Sequence, residues 1–300
     1  MMAYGDGTDV ASGIVYALLA YISWGLLPLY WKMLERLPPE SILAHRILWS
    51  FLFVVGLLAV KKRLPEWKSL FGSRAVFGAA LLSAALISLN WLVYIASVNS
   101  GHIVEASLGY YINPLVNVLL GVLFLRERPS KPQWAAIGLA AAGVLILTLS
   151  YGKFPWIALI LAFSFGLYGL AKKKTAVDPL LGLSWETIIP LPAAVVFLTV
   201  TGGIAAPFAD ASSLPLLLAG AATALPLLWF AQAAKRLALS TVGLFQYLAP
   251  SISLVIGVAV YNEPFSDAHM ISFACIWSAL ALYTISSLRL NAVKKQEASQ

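Results

Sequence analysis

YINPLVNVLLGVLFLRE (residues 111–127) and YLAPSISLVIGVAVYNE (residues 247–263) decide the reading of this chain. Each is an apolar run that opens on tyrosine and closes on glutamate. They share the pattern Y-x-x-P-x6-G-x5-E, so Tyr111, Pro114, Gly121 and Glu127 fall on Tyr247, Pro250, Gly257 and Glu263 at a shift of 136 (247 − 111). A second shift, 141 (164 − 23), lays Ser23-Trp24-Gly25-Leu26 over Ser164-Phe165-Gly166-Leu167. Glycine and proline are common in membrane helices, so either match alone is weak. Both keep chain order and differ by only a short gap, which divides the chain into halves 1–150 and 151–300.

Both stretches are long enough to cross a bilayer. Outward from them, runs of roughly 20 apolar residues fall near 12–34, 40–60, 75–98, 102–125, 132–150, 154–172, 179–200, 213–235, 240–261 and 268–288. The expectation is an all-α membrane protein with ten transmembrane helices. Each half holds five spans, an odd number, so the halves enter the membrane with opposite topology. That is a 5+5 inverted repeat, the plan of many secondary transporters.

Composition agrees. The chain of 300 residues is 60% hydrophobic and 11% charged, with mean hydropathy +0.85. A soluble domain carries about 25% charged residues and has no single core for so much apolar surface. The net charge of +7 could suggest nucleic acid. However, the basic residues cluster between apolar runs, and of the 20 Lys and Arg only Lys32, Arg36 and Lys153 fall on the side opposite the termini, with Arg46 inside a span. Positive charge marks the cytoplasmic face, so both termini are expected inside and no nucleic-acid partner is expected. Residues 1–10 lack Lys and Arg, and the run after them is too long for a cleavable signal. Cys275 is the only cysteine, which leaves no intramolecular disulfide. A Walker loop, a metal-ligand cluster and a catalytic serine or carboxylate motif are all missing from the sequence, so neither a cofactor nor an enzymatic activity is expected.

Ionisable groups inside the hydrocarbon are costly and tend to face a cavity or a partner. His45 and Arg46 in span two, Glu105 in span four and Glu186 in span seven stand out, with His102 at the entrance to span four. Helix rise puts Arg46 roughly 9 Å and Glu105 roughly 6 Å below one boundary, and Glu186 roughly 10 Å from the other. Arg46 and Glu105 are therefore expected to pair. The shift of 141 sets His45-Arg46 over Glu186-Thr187. Asn90, Asn113, Asn117, Gln232 and Gln246 could bind substrate or bridge helices. Trp49, Trp91, Tyr110, Tyr111, Trp185 and Tyr247 could line a cavity or simply pack. Trp31, Trp67, Trp134 and Trp156 read as interfacial anchors. Pro114, Pro190, Pro226 and Pro250 free carbonyls at depth or kink the helix. In span five, Gly138 with Ala142 and Ala136 with Ala140 suit close helix packing.

The segments His45-Arg46-x-x-Trp49-Ser50, Glu105-Ala-Ser-Leu-Gly-Tyr-Tyr-Ile-Asn-Pro114 and Phe165-Gly-Leu-Tyr-Gly-Leu170 resemble the RarD group of the EamA branch of the drug/metabolite transporter superfamily. Glu186-Thr187, Phe245-Gln-Tyr-Leu-Ala-Pro250 and Phe273-Ala-Cys-Ile-Trp277 carry the same resemblance. It covers nearly the whole chain, and the one departure noted is Tyr111 where the group often has Phe. The resemblance implies ten helices around a central cavity, a bacterial inner-membrane location, and export of small metabolites or drugs, the group carrying the label of chloramphenicol permease. Residues and resemblance together lead to a secondary transporter of small amphipathic or aromatic compounds. In it Arg46 holds an anionic group, and Glu105 or Glu186 holds an amine or carries a proton. Proton antiport and facilitated diffusion both fit, and a channel or a non-transporting scaffold is the alternative. Substrate identity, transport direction and oligomeric state are not legible.

Overall fold

The computed structural model describes residues 7–34, 36–69, 74–99, 102–175, 177–209, 214–261 and 266–297. The long helices are α1 (Gly7–Lys32), α2 (Pro39–Val60), α4 (Arg74–Asn99), α5 (Ile103–Leu125), α6 (Lys131–Tyr151), α7 (Trp156–Lys174), α11 (Pro215–Arg236) and α14 (Asp267–Glu297). Two pairs of shorter helices each follow one apolar run: α8 (Pro179–Ile188) with α9 (Leu191–Val200), and α12 (Leu239–Phe245) with α13 (Leu248–Tyr261). The small helices α3 (Leu64–Ser69) and α10 (Ala206–Ala209) lie in connections. Among the described residues nine spans are long and apolar enough to cross a membrane, and the bent pair α8–α9 makes ten. The described residues carry no strand.

Local chemistry sets the ends. Ser130 and Gln133 form a reciprocal capping box at the start of α6, and Gly152, at φ +73°, ends that helix in the left-handed conformation. Asp178 caps α8 through the Leu180 and Leu181 amides. Two sequence-expected spans are interrupted rather than continuous. α8 and α9 meet at an angle of 40°, and α12 and α13 are separated by a turn at Gln246–Tyr247. In both cases a proline four residues on, Pro190 for Glu186 and Pro250 for Gln246, cannot donate to the carbonyl one turn back and crowds it.

The principal helix pairs are α1 with α11, α2 with α11, α4 with α7, α5 with α7, α1 with α13, α5 with α12, and α6 with α14. The matched tetrapeptides occupy corresponding contacts. A Cβ on Gly25 would stand 2.7 Å from Ile252 of α13, and one on Gly166 would stand 2.7 Å from Val116 of α5. Span one thus packs on span nine as span six packs on span four. Trp24 and Phe165 meet edge to face, 5.8 Å between centroids. Among the described contacts the backbones come closest at Gly220, where a Cβ would lie 2.2 Å from the Trp49 carbonyl of α2.

In span five only one of the two small-residue pairs packs. Ala136 and Ala140 are buried with Val144 against Ile276 and Ala279 of α14. Gly138 and Ala142 are exposed, and a Cβ on Gly138 would touch nothing within 4 Å. Large apolar side chains such as Leu92, Leu123, Leu149, Val196 and Leu218 face outward, as a surface solvated by hydrocarbon allows. Trp134 and Trp156 are exposed as anchors would be, but Trp31 and Trp67 turn inward, Trp67 onto Trp185 at 5.9 Å. Glu263 of the repeat pattern lies outside the described residues.

Candidate functional site

The intramembrane polar groups gather in three places. The first lies toward the end of the bundle where α1 finishes and α2 begins. There Arg46 donates from Nε to Thr223 Oγ1 of α11 at 3.1 Å. Its guanidinium carbon sits 4.8 Å from the Trp31 ring and 5.8 Å from the Trp91 ring, both cation–π distances. Tyr30, Tyr94 and Tyr110 lie within electrostatic reach, and the last two meet edge to face at 5.9 Å. Tyr110 is 46% exposed, so the cage is open on that side. Beside it, buried His45 meets the Gly203 carbonyl through Nε2 at 3.0 Å.

Glu105 is not part of this group. One of its oxygens accepts from the Ile157 amide at 2.8 Å and the other from Tyr151 Oη at 2.9 Å. It therefore caps the start of α7, where a carboxylate meets free amides and the positive end of the helix dipole. The expected Arg46–Glu105 pair is absent: no carboxylate among the described residues is salt-bridged to Arg46. Equal depth does not make neighbours. α4 packs on both α2 and α5, but the face of α5 turned toward Arg46 carries Tyr110, whereas Glu105, five residues and about 140° around the helix from it, turns to α7.

The second place is near the opposite end. Glu186 is fully buried and pairs with Lys172, whose side chain is 4% exposed. It also accepts from Ser83 of α4 and from Tyr168 Oη at 3.0 Å. Lys172, at the very end of the span expected near 154–172, lies buried in the last turn of α7. Gly182 makes room for it, since a Cβ there would stand 3.1 Å from Nζ. An adjoining pocket of about 10 Å³ has room for about one water. Around it Lys235 reaches the Val177 carbonyl, Lys173 the Ala234 carbonyl at 3.1 Å, and Arg63 Asp178 at 3.2 Å. Outside the spans, hydrogen bonding from Arg63 holds the Glu66 carboxyl below its usual range.

The third place is central and uncharged. Asn117 donates to Gln246 Oε1 at 2.8 Å and to Asn113 Oδ1 at 3.3 Å, and Asn113 donates to the Ala162 carbonyl. Asn90 bridges α4 to α7 through the Leu161 carbonyl at 3.0 Å and Ser164 at 2.9 Å. These amides act as helix bridges. Tyr111 packs on Phe273 at 5.4 Å, and Trp185 on Phe77 at 5.7 Å. Tyr247 is buried, and neither its hydroxyl nor the Trp49 indole nitrogen has a hydrogen-bond partner among the described residues. Of the candidate side chains singled out in the sequence, then, Arg46, Trp91 and Tyr110 come together, with His45 beside them; Trp31 and Thr223 complete the group. Thr223 carried no sequence signal. Trp31 did, because the shift of 141 (172 − 31) places it over Lys172.

Comparison with known proteins gives a consistent likeness. The model of the EamA-like transporter family matches twice, over residues 11–149 and 154–285. The chain is 48% identical to the uncharacterized transporter YojE of Bacillus subtilis over 292 residues, 96% of this chain and 98% of that one. It is 42% identical to protein RarD of Escherichia coli over 94% of this chain and 97% of the other. It is 30% identical to a chloramphenicol-sensitive protein RarD of Pseudomonas aeruginosa over 93% and 95%. A crystal structure superposes with TM-score 0.74 at 18% identity, covering 93% of this chain and 99% of that one, a likeness of fold.

Proposed function

The chain belongs to the EamA-like transporter family, RarD group, and from that premise we propose that it is a secondary transporter that exports small amphipathic or aromatic compounds by alternating access. That it is a multi-pass membrane transporter follows from the family and the spans. The finer reading rests on one observation, the correspondence of contacts between the halves. Gly25 seats span one on span nine as Gly166 seats span six on span four. Halves 1–150 and 151–300 then form an inverted repeat whose interface opens to each side in turn. Arg46 serves the outer aspect of the path, and the Lys172–Glu186 pair closes the inner aspect in this conformation. Both termini are cytoplasmic and the membrane is the bacterial inner membrane, in keeping with the positive-charge bias.

Flux into proteoliposomes tests this. Saturable, substrate-selective uptake of amphipathic or aromatic compounds supports a carrier, non-saturating leak supports a channel, and no flux supports a scaffold. An imposed pH gradient that drives accumulation separates proton coupling from facilitated diffusion.

A further inference from the structure

We propose that Arg46 and its aromatic neighbours bind the carboxylate of a small aromatic acid. The inference deepens the transport reading and depends on it only for what happens to the bound acid.

Two polar places in the chain are neutralised differently. At Glu186, α7 supplies Lys172 as counter-charge and α4 supplies Ser83 as hydroxyl donor. At Arg46, α1 supplies Trp31 and α11 supplies Thr223. The shift of 141 that aligns the two tetrapeptides carries Trp31 onto Lys172 and His45 onto Glu186 (186 − 45). Where one place has its own counter-ion, the other has an indole. The chain neutralises Glu186 from within, whereas no carboxylate among the described residues is salt-bridged to Arg46.

A guanidinium carries five N–H donors. Thr223 takes Nε, which fixes the plane of the group, and no hydrogen bond from the two terminal amino groups to a described residue is present. An uncompensated charge at this depth is unfavourable. A carboxylate approaching end-on accepts from both terminal amino groups at once, the bidentate geometry that arginine favours. A single arginine matches a monoanion rather than a phosphate dianion. Trp31 and Trp91 stand against the guanidinium at 4.8 and 5.8 Å. The Tyr94–Tyr110 pair, partly open, supplies an edge-to-face platform for a ring attached to the bound carboxylate.

The test is equilibrium binding to the full chain in nanodiscs, with labelled benzoate displaced by unlabelled benzoate, benzamide or cyclohexanecarboxylate. Benzoate should compete about tenfold or more better than benzamide, the scale of a charge-assisted contact, and better than cyclohexanecarboxylate. Arg46→Gln should erase the preference for charge, while Arg46→Lys should keep a weakened one, with melting curves confirming that both fold. Equal affinity for benzoate and benzamide, a preference that survives Arg46→Gln, or no saturable benzoate binding overturns the proposal. Equal competition by cyclohexanecarboxylate overturns its aromatic part. Flux measured in parallel separates the two readings: benzoate binding without flux counts against transport and leaves the site standing. Flux of neutral compounds with no discrimination by charge counts against the site and leaves transport standing.

Discussion

Replacing Lys172 with methionine removes one partner of a buried ion pair whose side chains are 4% and 1% exposed. Glu186 keeps its hydrogen bonds from Ser83 and Tyr168 but loses its counter-charge. Breaking a buried pair from one side typically costs about 3–5 kcal/mol, so Lys172→Met should lower the unfolding free energy by about that much. At roughly 1.4 kcal/mol per tenfold, this is over a hundredfold in the folded ratio. Glu186→Gln should cost a similar amount, because it strands the ammonium instead. The double change Lys172→Met with Glu186→Gln removes both charges and keeps an acceptor for Ser83 and Tyr168, so it should recover most of the loss. Tyr168→Phe removes one hydrogen bond to a charged group and should cost less, about 1.5–3 kcal/mol. Denaturant titration in mixed micelles, followed by circular dichroism, reads all four. If Lys172→Met is as stable as the parent, or if the double variant is as weak as the sum of the singles, the pair does not hold α7 to α8 and the reasoning is wrong.

Gly220→Ala should destabilise by about 1–3 kcal/mol or more in the same titration, since the new methyl would stand 2.2 Å from the Trp49 carbonyl; a neutral result would mean that α2 and α11 do not touch there. Glu105→Ala leaves the Ile157 amide without its acceptor and should cost about 1–3 kcal/mol. Glu105→Gln should keep flux near the parent's, whereas Arg46→Gln should lose flux of carboxylate substrates; equal loss would restore Glu105 to the binding site. In a Cys275→Ala background, a cysteine at Lys62 should be labelled only from the cytoplasm and one at Gly152 only from outside. Labelling of the first in intact cells would invert the topology.

The spans were legible because hydrocarbon demands long apolar runs with internally satisfied backbones, and such runs survive in one dimension. The breaks in spans seven and nine carried their own marks, Pro190 and Pro250. Partner choice was not legible. Helix rise gives a residue's depth but not which neighbour its face meets, so Arg46 and Glu105 at similar depth looked like partners when Glu105 turns to α7 and it is Tyr110, on another face of α5, that reaches toward Arg46. Lys172 opens a run of three lysines and reads as a loop flank; only Gly182 and Glu186 of the following helix draw it inward. Trp31 reads as an interfacial anchor for the same reason, since its neighbour Arg46 comes from another helix.

The contact at Gly220 divides α11 unequally. Five residues separate it from Pro215 and sixteen from Arg236, roughly 8 Å of helix on one side and 24 Å on the other. On α2, by contrast, Trp49 and Ser50 lie near the middle of Pro39–Val60. Here the two backbones meet with no side chain between them, which makes the contact a natural pivot. A tilt about it would give α11 arms of about one to three, moving the Lys235–Arg236 end about three times as far as the Pro215 end, with Pro226 on the long arm. The long arm carries Arg236, which forms an ion pair with Asp9 of α1 at 3.2 Å, and Lys235, which donates to the Val177 carbonyl. The same tilt that leaves Thr223 beside Arg46 almost in place strains both of those ties.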